Sequence, residues 1–277
     1  VDWDKAKNYT ILFLLVLNIL LLGFNFMQRY ETTLSPSRIE SLTQLMEKMD
    51  ITIDCTLPSR FVPMNRIRMK SYDYDYIALE KIFFKELKNI VRTEEDDKVI
   101  LKSDTGELTV DGSKVEFSTK ADSPKTTTEA ISIADEYVKQ LNSGFSNYSF
   151  NNVSREKDGY RIMYYEEYSG CNIFSNYVQF KVSNSGDIKI SLCYYQPLEQ
   201  GGEKNTIIAA DEAIFALSDK IRDRGVNIDK VSQGYLISEN STDESAEMDA
   251  IPVYSIKTNE GIYFVNAMDA SVSEILH

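Results

Sequence analysis

The chain has 277 residues and a formal net charge of −13, from 43 acidic against 30 basic residues. That balance argues against nucleic acid and anionic lipid surfaces as partners. Its single histidine, His277, leaves no material for Ser-His-Asp, Cys-His or histidine-metal arrangements, and 17 Tyr with 13 Phe suit folded β-structure rather than disorder.

Residues 9–27 carry no charge, and only Thr10, Asn18 and Asn25 interrupt the apolar run. A helix of this length reaches about 28 Å, close to the hydrocarbon thickness of a bilayer, so one transmembrane helix is expected. Gly23 to Gln28 offers no small-residue cleavage site, which favours a retained anchor over a removed signal peptide. Lys5 and Lys7 precede the span and Arg29 follows it, placing the N-terminus in the cytoplasm by one residue and the main domain outside. Ile11, Asn18 and Asn25 recur every seven residues and so share one helix face. An amide in hydrocarbon either faces another helix or bonds its own backbone.

Beyond the span, Ser35-Pro36 predicts an N-cap followed by proline at the first helical position, with Ile39, Leu42, Leu45, Met46 and Met49 as the apolar stripe. Residues 51–57 and 66–72 read as extended. Tyr76, Leu79, Ile82, Phe83 and Leu87 mark a second amphipathic helix. Strands follow near 98–102, 107–110 and 114–118, with Asp111-Gly112 as a hairpin turn.

After a linker near 120–126, Thr126 and Glu129 form a capping box for a helix burying Ala130, Ile131, Ala134, Val138 and Leu141. Strands are expected around Phe150, 160–168, 177–182 and 188–195, then a second linker at Gln200 to Glu203. Ile131 to Glu136 matches Ile207 to Glu212 at four of six positions, and each match is read as opening a helix followed by antiparallel strands. The second copy has strands near 231–238, 253–257 and 262–267, with Glu239 to Asp249 as a solvated acidic loop. The fold class is α+β: one membrane helix, then helix-on-antiparallel-sheet modules, the last two repeated. The modules are 1–30 (tail and membrane helix), 31–122, 123–200 and 201–277.

Cys55, Cys171 and Cys193 are odd in number and widely spaced, so three free thiols are expected rather than a disulfide framework, with a single disulfide between two of them as the alternative outside the cell. Glu166 and Glu167 are adjacent on a strand and face opposite ways, so they do not form a catalytic pair. Asp73 and Asp75, before a helix, read as capping residues. Tyr164, Tyr165, Tyr168, Tyr177, Tyr194 and Tyr195 form either a docking face or ordinary cross-strand packing. No catalytic, cofactor-binding or metal-binding residues are identified.

Val1-Asp2-Trp3-Asp4-Lys5-Ala6-Lys7-Asn8, directly before an apolar helix, resembles the opening of YycI-type proteins, M-D-W-x-K-A-K-N, with Val1 at an alternative start. Ile51 to Pro58 is similar to that family's early strand and Leu-Pro turn. The Ile131 helix opening and the Pro252 to Ala267 hairpin look like PepSY modules, although Met268-Asp269-Ala270-Ser271 replaces the usual Thr-Gly turn. The first resemblance implies a non-enzymatic, cofactor-free, single-pass regulator of a WalK-type sensor histidine kinase in the WalK/WalR (YycG/YycF) two-component system of cell-wall metabolism. A YycH-like companion would accompany it. Coupling would run through Ile11, Leu15, Asn18, Leu22 and Asn25, with Trp3, Lys5 and Lys7 at the membrane interface. The second resemblance implies instead an anchored binding or protease-inhibiting module without a kinase partner.

Overall fold

A computed structural model describes residues 3–84, 89–95, 98–124, 126–144, 146–238 and 247–273, with the backbone alone for 4–6, 24–31 and 199–203. Chain order is α1 (Trp3–Glu31), α2 (Pro36–Glu47), β1 (Ile51–Ile53), β2 (Met64–Ser71), α3 (Tyr76–Phe83), β3 (Val91–Glu95), β4 (Lys98–Ser103), β5 (Gly106–Asp111) and β6 (Lys114–Lys120). Then come α4 (Thr127–Gly144), β7 (Tyr148–Glu156), β8 (Gly159–Tyr168), β9 (Cys171–Ser183), β10 (Asp187–Cys193) and β11 (Tyr195–Asn205). The chain continues through α5 (Ala210–Ile221), β12 (Val226–Ile237), β13 (Met248–Thr258), β14 (Ile262–Asn266) and β15 (Val272–Ser273). The α+β class is as expected.

Two compact units are built from discontinuous stretches. The first holds residues up to 64, 206–232 and those from 254 onward. The Ser35 hydroxyl accepts from the Arg38 N–H at 3.4 Å to start α2, whose Leu42 and Met46 are buried. In α5 the stripe Ala210, Ala213, Ile214, Leu217 and Ile221 is buried at the spacing of one helix face. β1 runs parallel to the first residues of β12, Ile51 opposite Val226 and Ile53 opposite Ile228. β14 pairs with β13 and β15. Just past α1, Thr33 bridges Arg60, the Leu34 N–H donates to the Ser59 carbonyl at 2.7 Å and the Phe61 N–H to the Thr32 carbonyl at 3.0 Å.

The second unit holds 65–205 and 233–253. Its backbone is the antiparallel series β3-β4-β5-β6-β10-β9-β8-β7. The Gly112 position at φ 54° closes the Asp111-Gly112 hairpin, as its sequence predicts. The ladder's alternation (Val115 and Phe117 inside, Lys114 and Glu116 outside) turns one face toward α3 and α4. Leu79 and Phe83 of α3 and Ala130, Ala134, Val138 and Leu141 of α4 close that core. The Thr126 hydroxyl accepts from the Glu129 N–H at 3.2 Å, and Asp75 accepts from the Ile77 N–H at 3.0 Å to cap α3. Each fully buried Phe or Leu here contributes about 1.5–3 kcal/mol.

Several expectations change. Residues 200–203, read as a linker, lie inside β11, so the boundary between 200 and 201 falls within a strand. Met248 and Asp249, read as the end of an acidic loop, belong to β13, where Asp249 meets Arg66 at 3.4 Å; 239–246 lie outside the described residues. The six-residue matches are not equivalent: Ile131 is inside α4, whereas Ile207 precedes α5. β3 has no buried residue and therefore no apolar signature. Leu87 lies outside the described residues.

In the second unit Gly234 of β12 lies opposite Asn172 of β9. A Cβ there would come within 2.3 Å of the Asn172 carbonyl oxygen and 2.6 Å of the Phe174 ring. Gly234→Ala is expected to destabilise the protein by about 1–3 kcal/mol, as overpacking does, measured as the shift in urea midpoint of the full chain in mild detergent.

Candidate functional site

α1 places Ile11, Leu15, Asn18 and Leu22 on one continuous helix at spacings of four, three and four, and all four are exposed. Asn18 Nδ2 donates to the Leu14 carbonyl at 2.9 Å, so the amide bonds its own helix backbone. Trp3 and Lys7 are exposed at the start of the helix; the side chains of Lys5 and Asn25 lie outside the described residues. Among the described residues no helix is long and apolar enough to cross a membrane. Side chains of α1 are described over 7–23 but not over 24–27, so the run 9–27 is covered only in part.

A groove lies between α2 and α5 of the first unit, lined by Arg38, Leu42, Leu45, Asp211, Glu212 and Phe215 among others. Leu45 is 38% and Phe215 51% exposed, so two large apolar side chains face solvent above buried Leu42. The Arg38 guanidinium lies 2.7 Å from Asp211 and 3.1 Å from Glu212. Burial works against its charge, and the two carboxylates outweigh that and hold it above its ordinary value. Asp211 Oδ1 is enclosed and accepts no hydrogen bond. Sequence reading assigned Leu45 to the core stripe and missed Phe215. The available signal was an apolar residue outside α5's buried stripe.

The carboxylates read as non-catalytic separate as expected, Glu166 buried and Glu167 exposed. The pleat alone separates them; a bulge just before them buries Glu166 alongside Tyr165, because Tyr165 pairs with Tyr177 but Glu166 with Ile173, leaving Phe174 to Asn176 of β9 without partners on β8. Asn176, fully buried, fills the gap. Its Nδ2 donates to Glu166 at 2.5 Å and to the Tyr195 carbonyl at 2.7 Å, and its Oδ1 accepts from the Tyr195 N–H at 2.9 Å. Burial pushes the Glu166 carboxyl up; Asn176 and nearby Ser146 favour the charged form without cancelling that. Tyr164, Tyr165 and Tyr194 take the packing option, while Tyr168, Tyr177 and Tyr195 are only half-buried. Tyr164 meets Phe180 edge-on at 5.8 Å, Tyr165 meets Phe174 at 5.2 Å, and Tyr194 meets Tyr72 at 5.0 Å.

All three cysteines are free, with Cys193 buried and its thiol pushed up by burial to about 11. Among the described residues no group of acidic, cysteine or histidine side chains is arranged to hold a metal.

The YycI protein family matches residues 31–268. The chain belongs to the YycI family. The match begins where α1 ends, so it is independent of the eight-residue opening that first carried the resemblance. It also reveals likeness throughout the part beyond residue 60, where motifs are sparse. Membership points to a regulatory, non-catalytic role in the WalK/WalR two-component system. A crystal structure of an uncharacterized protein from Eubacterium rectale ATCC 33656 is similar, with TM-score 0.55 and 12% identity over 82% of this chain and 90% of that one; it shares the fold. The C-terminal domain of Bacillus megaterium YpeB aligns at TM-score 0.39 and 12% identity over 75% of this chain and 100% of that one, too distant to carry an argument. No curated protein sequence matches.

Glu166 yields a pH prediction. Its folded form holds the proton to higher pH than the unfolded form, whose ordinary value is 4.5. The native state therefore binds more protons between those two values, and stability falls as pH rises through that window. Glu166→Gln is expected to remove this fall and to be at least as stable as wild type at pH 7. Urea unfolding from pH 4 to 8 checks it; a steeper fall in the variant would contradict it.

Proposed function

We propose that this YycI-family chain is a single-pass membrane regulator that shifts a WalK-type sensor histidine kinase between signalling states, with a YycH-like companion. The N-terminus is cytoplasmic and the main domain extracytoplasmic. The observation that carries this reading is the passage from α1 into the rest of the first unit. A replaceable tether would end in a flexible linker, but here only residues 32–35 separate α1 from α2. They are fastened by the Thr33–Arg60 bridge and by Leu34, which is 3% exposed. A load on the outer domain therefore reaches α1 without slack.

Ile11, Leu15, Asn18, Leu22 and Asn25 would form the contact with the kinase helix. Trp3, Lys5 and Lys7 would hold the inner membrane surface. Such a protein catalyses nothing. It shifts the kinase population only by its difference in affinity for the two states, and a tenfold difference corresponds to about 1.4 kcal/mol.

Asn18→Leu tests the helix contact. An interhelical hydrogen bond of about 0.6 kcal/mol corresponds to roughly a threefold loss of kinase recovered from mild-detergent membranes. Replacing residues 9–27 by an unrelated apolar helix should abolish recovery. Full recovery with the replaced helix would move the contact to the outer domain. No kinase with wild type would favour the anchored binding module.

A further inference from the structure

We infer that the groove between α2 and α5 is a docking site for a segment of another protein that presents an apolar side chain beside a lysine or arginine. This deepens the regulator reading and rests on it for the partner's setting. Leu42, Leu45 and Phe215 supply an apolar floor and wall of a size that accepts one aliphatic or aromatic side chain. The rim is charged. Asp211 and Glu212 face the single guanidinium of Arg38, so the lining retains one uncompensated negative charge.

Asp211 Oδ2 lies 2.7 Å from Arg38, so the guanidinium is held on the Asp211 side of the rim. A neutral apolar ligand would leave the excess negative charge unanswered. An acidic one would be repelled, as would a second copy of this chain, with its net charge of −13. Glu212, whose side chain is 55% exposed, remains open to a second basic group.

The groove is also well placed for a membrane-bound partner. Its lining begins at Ser37, six positions after the end of α1. Extended chain spans at most about 3.5 Å per residue, so it lies within roughly 20 Å of that end. A partner anchored in the same membrane can reach it with the first residues outside its own span.

The experiment places a photoreactive p-benzoyl-phenylalanine at position 215 of the full chain, in membranes of cells that carry its partners. Irradiation is followed by mapping of the attached peptide. The expected product is an adduct to another polypeptide, on a peptide with a lysine or arginine within four residues of the attachment point. Glu212→Lys in the same chain should reduce the adduct at least about fivefold, and Glu212→Gln by less, with thermal midpoints unchanged. Adduct to lipid, to a second copy of this chain or to a peptide without a basic residue would overturn the inference, as would no adduct or one indifferent to Glu212→Lys. The two readings fail separately. Loss of the adduct with kinase recovery still dependent on Asn18 removes the groove alone. A charge-dependent adduct to a polypeptide unrelated to kinase signalling keeps the groove and removes the regulator.

Discussion

A single buried amide holds the second unit in register. β9 has β8 along one side, while its other side serves β12 at residues 172–173 and β10 at 177–182. A strand cannot change partners without a break in its ladder, and the break is Phe174 to Asn176. Phe174 turns into the core, Ser175 accepts the Ile237 N–H of β12 at 2.8 Å, and Asn176 replaces the missing ladder bonds to β8 and to the start of β11. The Asn176 amide is thereby satisfied inside the fold. Removing Asn176 would leave Glu166 buried with its main stabilising donor gone, which costs more than one hydrogen bond is worth.

That arrangement explains why the unit's polar interior is structural. Three consecutive buried residues on a strand, Tyr164, Tyr165 and Glu166, break the alternation of a regular ladder. In a site built for chemistry such a carboxylate would open into a cleft. This one faces an asparagine amide and is surrounded by aromatic packing. The regulatory role at family level agrees with a domain whose unusual polar residues serve to fix strand order.

What the sequence made legible was local. Ser35, Asp75 and Thr126 as caps, the Asp111-Gly112 turn, and the stripes of α4 and α5 depend on neighbours within four residues, and the physics of each is complete at that range. Features set by distant partners were not legible. The bulge needs β12 and β10 to compete for one strand, β11 runs through a Gly-rich stretch that reads as a linker, and β3 is a strand only because β4 pairs with it. The groove was hidden for the same reason. Leu45 fits the α2 stripe by spacing, and only the position of α5 decides that Leu42 is covered while Leu45 is left open.

A regulator without chemistry must be judged by how stiffly its parts are joined, because it transmits only differences in binding energy. If residues 32–35 were a free chain, binding at the outer domain would raise the local concentration of α1 near its partner but would favour neither kinase state. The clamp formed with Ser59 to Phe61 changes this. Displacing α1 relative to the rest of the first unit then costs the hydrogen bonds of the clamp and the burial of Leu34, and under the proposed regulator reading that cost would let an outer contact discriminate between two helix arrangements. The chain's two candidate surfaces, the face of α1 and the groove on α2, lie on either side of this clamp. Binding at one therefore biases binding at the other only to the extent that the clamp holds, and by linkage the bias is equal in both directions.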